Sequence, residues 1–176
     1  MQTTDIVWLQ NVRDAVNRST ISELPDHARV WVYQSSRVFT AHEVQQLNPI
    51  LAEFAENWAA HGSAMVAAAE IILDRFIVFG IDEMAQAASG CSIDTSINLL
   101  KEIEKTYSVN LYDRMATAFI TPQHTIEIQS VQSLSQNSDV TADTLVFDNL
   151  TNTVGDLKTH WLKPISESWH KRFVKK

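Results

Sequence analysis

Ala64-Met65-Val66-Ala67-Ala68-Ala69-Glu70-Ile71-Ile72-Leu73-Asp74-Arg75-Phe76-Ile77-Val78-Phe79-Gly80-Ile81 is the most apolar stretch of the chain. Glu70, Asp74 and Arg75 interrupt it, which makes it too polar for a membrane span. It divides into two runs of strand length, Ala64 to Leu73 and Phe76 to Ile81. Asp74-Arg75 between them suits a tight hairpin turn. The stretch therefore reads as a buried β-hairpin, and the rest of the fold is built around it.

Upstream, Thr40-Ala41-His42-Glu43 is a capping box, with Thr40 as N-cap and Glu43 three residues on. Val44, Leu47, Leu51, Phe54 and Trp58 follow at helical spacing, and Gly62 is a suitable stop. Pro49 inside this pattern predicts a kink near Leu47. Before it, Ala28 to Gln34 is rich in β-branched and aromatic residues and alternates, with Val30, Val32 and Gln34 on one face and Trp31 and Tyr33 on the other. The first twenty residues predict an amphipathic helix carrying Ile6, Val7, Leu9, Val12 and Val16. Residues 1–22 thus form an N-terminal helical extension and 23–176 a single domain.

Downstream, Met84 to Ser92 reads as a loop, and Ser92 or Asp94 caps a second helix with Ile97, Leu100 and Ile103 on its apolar face. A strand near Met115 to Ile120 completes the order β-α-β-β-α-β. The expected fold is α+β: a ferredoxin-like, split βαβ antiparallel sheet with both helices on one face. Thr125 to Gln129 predicts a further strand after the turn Pro122-Gln123-His124. Ser130 to Thr144 reads as loop with a short helix, and Asp143 to Asn149 as a short extended segment. Val154 to Phe173 predicts a C-terminal helical elaboration interrupted at Pro164.

The formal net charge is -7, which disfavours binding to nucleic acid or an anionic membrane. A single cysteine cannot form an internal disulfide, and the start of the chain lacks the basic and apolar segments of a signal peptide, so the expectation is a cytoplasmic protein. The chain holds no G-x-x-x-x-G-K-[ST], and four glycines leave no room for a dinucleotide fingerprint. This excludes a P-loop ATPase. The histidines are scattered, without metal-ligand spacing, so no metal and no cofactor is expected.

Small and polar residues crowd the segment from Ser89 to Asp94. Cys91 lies close to a helix start, where the dipole favours a thiolate. Gly90 permits close approach, Ser89 and Ser92 offer hydroxyls, and free backbone N–H groups there would cradle an anion. A lone cysteine is more often a small buried hydrophobe. His61, at the end of the first long helix, is either a cap for its last carbonyls or a base for Cys91. Asp82-Glu83, past a strand end, is a carboxylate pair suited to acid–base or metal chemistry, although adjacent side chains point apart. Asp113-Arg114 reads as a turn or ion pair, or as an Arg114 that binds a carboxylate or phosphate. Trp161, Trp169 and Phe173 anchor the C-terminal segment on the sheet, or the two tryptophans face a partner.

Trp58-x-x-His61-Gly62, Phe76-Ile77-Val78 followed by Asp82-Glu83, Ser89-Gly90-Cys91-Ser92-Ile93-Asp94, Asp113-Arg114-Met115 and Ser168-Trp169-His170 occur together in this order. In this the chain resembles a family of small uncharacterised proteins of Bacteroidetes-type bacteria, over roughly Leu24 to Phe173. Members often carry the label "ABC transporter ATPase"; without a P-loop, this chain does not fit that label. The resemblance implies no catalytic residues.

Three functions follow as expectations. One is a non-catalytic binding domain whose Ser89–Asp94 loop, with Asp82, Glu83 and Arg114 as further candidates, holds a small anion or a protein partner. Another is a cysteine-dependent hydrolase or transferase with Cys91 as nucleophile and His61 as base. The third is a structural homo-oligomer joined through its tryptophans.

Overall fold

In the computed structural model, residues 3–60, 63–64, 66–82 and 90–174 are described, with side chains in 5–58, 66–82 and 94–174. The apolar hairpin forms as read from the sequence: β4 (Val66–Ile72) pairs antiparallel with β5 (Phe76–Asp82), Ile72 opposite Phe76. Its turn holds Leu73 and Asp74 at φ 54° and 51°, left-handed values that cost a non-glycine residue about 1 kcal/mol each. Leu73 is kept there by packing on the core.

β5 is the middle strand of its sheet, with β1 (Arg29–Gln34) on its other side, antiparallel, Val32 opposite Val78. Alternation then sends side chains to two faces. Trp31, Tyr33, Ala69, Ile71, Ile77, Phe79 and Ile81 face one core, shared with Leu47, Leu51 and Ala55 of α2 (Ala41–Asn57) and with Leu100 and Ile103 of α3 (Gly90–Tyr107). Both helices thus cover one face, as expected. The capping box that opens α2 is complete: Glu43 N–H donates to Thr40 Oγ1, and Thr40 N–H to the Glu43 carboxylate. Pro49 lies within α2. Asn48 beside it accepts a hydrogen bond from Ile71 N–H at 2.9 Å, so its amide oxygen blunts the outer edge of β4. The two-residue strands β2 (Ala59–Ala60) and β3 (Ser63–Ala64) pair with each other.

The opposite face bears Val30, Val78, Phe76 and Ile72. Against it lie α1 (Thr3–Arg18), through Val12 and Val16, and the 3-10 turn Thr20–Glu23, through Ile21. Gly80 lets Leu24 pack close to β5, since a Cβ there would sit 2.6 Å from Leu24 Cδ1 and the side chain would have to shift. Glu70, the charge that interrupts the apolar run, accepts from both Thr20 N–H (2.8 Å) and Thr20 Oγ1 (2.9 Å) and so caps this turn.

The strand order β1-β5-β4 is the one the split βαβ plan gives to its first three strands. The fourth strand departs from it. β6 (Ala116–Ile120), which the plan sets beside β1, pairs instead with β7 (Ile126–Ser130) and β8 (Leu145–Phe147) in a second antiparallel sheet, ordered β7-β6-β8-β9. The architecture is α+β with two packed sheets. Ala118, Ile120, Leu145 and Phe147 turn toward the first sheet, while Phe119 and Val146 face a third cluster with Val131, Leu134 and Ile165.

The C-terminal segment is also not the interrupted helix expected. Thr153 caps a short α4 (Val154–His160), and the chain then becomes β9 (Leu162–Pro164) followed by 3-10 turns at Ile165–Glu167 and Trp169–Phe173. Pro164 explains the change, because it cannot continue a helix and is tolerated on the edge strand that β9 forms.

Candidate functional site

β1 is the outer strand of the first sheet, because β6 went elsewhere. Its outward backbone groups belong to residues of one parity. Val30 N–H donates to Asn152 C=O at 3.0 Å, and Val154 N–H to Ala28 C=O at 2.9 Å, so Ala28, Val30, Val32 and Gln34 point away from β5. After this one bridge the neighbouring chain leaves. Asp148 to Thr151 closes a turn, with Thr151 N–H on Asp148 C=O and Leu150 N–H on the Asp148 carboxylate. On the other side Asp113 to Ala116 closes a second turn, held by Met115 N–H on Asp113 Oδ1. Between the two turns the edge from Val30 C=O to Gln34 lies open, with no backbone partner for Val32 among the described residues.

The space so formed is a cleft of about 390 Å³, within the range of small-ligand sites. β1 lines it from Val30 to Gln34, Leu111 to Arg114 form one wall, and Asn149 to Thr151 with Trp169 and His170 form the other. A relay of amides closes the floor. Gln34 Nε2 donates to Ala116 C=O (3.3 Å), Asn149 Nδ2 to Gln34 Oε1 (3.2 Å), and Trp161 Nε1 to Asn149 Oδ1 (3.0 Å). These bonds tie β1 to the start of β6 and to the turn that follows β8.

The titratable groups of the cleft are set by burial. Burial raises the pKa of the Tyr33 phenol, opposed by the positive charge of Arg114. Burial, with smaller effects of Tyr33 and Glu104, pushes Tyr112 up to about 12; its hydroxyl donates to Ile97 C=O. Both phenols stay neutral and act as hydrogen-bonding groups. His170 is 2% exposed. Burial drives its pKa down to about 4, with Asp148 opposing and Lys163 adding to the fall. Ser168 Oγ touches Ile165 C=O, His170 N–H and His170 Nδ1. All three contacts are satisfied when the hydroxyl donates to the carbonyl and accepts from Nδ1–H, an assignment made from the network. Nε2 is then the acceptor nitrogen of the ring. Ser168 itself is buried and fully engaged, so this Ser–His contact is a cap of the last turn and not a nucleophile with its base. Among the described residues Arg114 has no carboxylate partner, and it is the one full positive charge and Asp113 the one carboxylate of the cleft lining.

The chain matches no family model, no curated protein and no solved structure.

Of the residues singled out in the sequence, Asp113, Arg114, Trp169 and His170 line the cleft. Asp82 lies on β5 and meets His27 Nε2 at 3.2 Å, and Asp94 is exposed on α3. α3 is helical from Gly90 onward, so the backbone at Cys91, Ser92 and Asp94 is already helix where a loop and its cap were expected. His61, Glu83 and Ser89, and the side chains of Cys91 and Ser92, lie outside the described residues, as does the proposed Cys91–His61 pair. Trp161 is 1% exposed and packs on Phe76 and Phe147 at ring distances of 4.8 and 5.1 Å; it cannot face a partner. Trp169 stacks on His170. Among the described residues no cluster of ligating side chains forms and no helix is long and apolar enough to cross a membrane. Asn149 was not singled out in the sequence, Gln34 was read only as part of one face of β1, and His170 only within the Ser168-Trp169-His170 word. A polar residue, Gln34, at the inward-facing end of an alternating strand was the one available signal.

Proposed function

We propose that the protein is a non-catalytic binding domain and that its ligand occupies the cleft along β1. The open backbone edge beside Arg114, which has no carboxylate partner among the described residues, carries this reading. The binding class expected from the Ser89–Asp94 loop is retained and its site moves to the cleft, where Tyr112 and His170, the latter bonded to Ser168, serve structure or hydrogen bonding and supply no activated nucleophile. Thermal denaturation against a panel of small carboxylates, phosphates and short peptides, in wild type and in Arg114→Ala, tests it. A ligand that raises the wild-type melting temperature and loses that effect in the variant supports the proposal. A panel without effect, or stabilisation equal in both proteins, overturns it.

The cysteine-dependent alternative gains one point from α3, since Cys91 falls in the first turn of a helix that begins at Gly90. The positive end of the helix dipole there favours a thiolate. Iodoacetamide labelling against pH decides it. An apparent pKa well below about 8.5, with a further loss of rate in His61→Ala, supports the alternative, and labelling only after denaturation removes it.

A further inference from the structure

The cleft offers two things that together define a ligand class. The first is a row of main-chain groups in strand geometry: Val30 C=O, Val32 N–H and C=O, and Gln34 N–H. At roughly 3.4 Å per residue the row from Val30 to Gln34 is short, enough for three or four residues of a partner. The same edge already takes an extended segment at its start, where Asn152 and Val154 bond to Val30 and Ala28 in antiparallel sense. The second is a pair of polar side-chain groups on the walls: the exposed guanidinium of Arg114, without a carboxylate partner among the described residues, and the imidazole of His170, on a side chain almost wholly buried. Arg114 lies toward the far end of the row, since it acts on Tyr33 and precedes by two residues the Ala116 carbonyl that Gln34 bonds.

We propose that the cleft binds an extended acidic peptide segment, which adds as a strand to the edge of β1 and sets an Asp or Glu side chain against Arg114. This rests on the cleft being the ligand site. Main-chain pairing supplies affinity in such strand addition, and the side-chain contacts supply selectivity. A small organic acid would use Arg114 and leave the row of amides unpaired. A second copy of this chain is disfavoured by length: the open row runs only from Val30 to Gln34, bounded at its start by the Arg29–Thr153 bridge and at its end by the Gln34–Ala116 bond, so it takes one short strand. Val32, Phe147, Trp31 and Leu150 supply apolar lining, and Leu150 is exposed. Asp113 opposes an acidic ligand, and its removal should strengthen binding.

The test uses the full chain and fluorescein-labelled heptapeptides of alternating Thr and Val, amidated at the C-terminus so that one Glu is the sole carboxylate on the peptide chain, placed first, fourth or last in three versions. Fluorescence anisotropy should give saturable binding for at least one version. Replacing that Glu by Gln, or Arg114 by Gln, should weaken it roughly tenfold, the worth of one charge-assisted hydrogen bond; Asp113→Asn should tighten it. N-methylation of alternate peptide amides separates strand addition from side-chain capture. Methylation of one parity should abolish binding and of the other leave it intact. Equal effects of both parities overturn strand addition. Free glutamate or succinate competing as well as the peptide overturns the peptide class and leaves the cleft as the ligand site. Peptides without binding, beside small ligands that stabilise through Arg114, overturn this inference alone. Failure of both overturns the site itself.

Discussion

His170 and Thr117 show how single buried polar groups set the stability of this chain. His170 stays neutral in the folded state down to about pH 4, while the unfolded imidazole takes up a proton below its ordinary value of 6.5. Between these values the unfolded state binds more protons, so stability falls as pH falls. At roughly 1.4 kcal/mol per unit, about 2 kcal/mol is lost on going from about pH 7.5 to about pH 5. Urea unfolding of wild type and His170→Asn at both pH values should show a smaller loss in the variant. Thr117 is 1% exposed, and its hydroxyl alone among the described residues is buried without a partner. An unpaired buried hydroxyl costs about 1–3 kcal/mol, so Thr117→Val, which keeps the shape, should raise the urea midpoint at an unchanged slope.

At the scale of elements, α2 owes its position to its first turn. Arg37 grips both oxygens of Glu43 at 2.8 Å and also donates to the Tyr107 carbonyl at the end of α3, so the capping box links the two helices on one face of the sheet. The Arg37 guanidinium, with the Thr40 N–H, holds the Glu43 carboxyl down to about 2. Its stabilising effect is complete above the ordinary carboxylate value near 4.5 and is lost as pH falls toward 2. Acid titration followed by circular dichroism should show a shallower acid limb in Glu43→Gln. Thr40→Ala should cost about 1 kcal/mol at neutral pH, the usual worth of an N-cap. β1 is the contrasting element. One edge is fully laddered to β5 and the other, among the described residues, has a backbone partner only at its start, which leaves this outer strand with an open side.

For the molecule as a whole, the decisive contact is between the two sheets. Phe76 from the first, Phe147 from the second and Trp161 after α4 form a triangle with ring distances of 4.8 to 5.1 Å. α1 closes the same core, because Val12 and Val16 are buried in it together with Val30 and Val78. The N-terminal helix therefore packs on the core that unites the two sheets. Val16→Ala removes two methyl groups from a fully buried site and should cost about 1–3 kcal/mol in chemical denaturation. A change near zero would mean that α1 contributes little to the core.

Local patterns were enough for the hairpin Val66 to Asp82, for β1 with its two faces, for α2 with its Thr40–Glu43 box and for the strands near Met115 and Thr125, because each is encoded by periodicity or by a cap within a few residues. The function of Glu70 was not legible, since its partner Thr20 is fifty positions away in sequence. Nor was the departure of β6 from β1. Alternation says which face a side chain takes, but it does not say which strand lies alongside, and β6 meets β8 through a single register pair, Phe119 and Val146. The helix expected from Val154 to Phe173 failed for a similar reason: Trp161 and Leu162 are drawn into the core between the sheets, and Pro164 ends helical continuity. The cleft follows from these long-range choices. The sequence by itself determined the hairpin, the strand and the capped helix around which the first sheet is built. Only the tertiary structure decided that the fourth strand would leave, that β1 would keep an open edge, and that Arg114 and His170 would line one cavity, because pairing between distant strands is settled by the packing of the whole core.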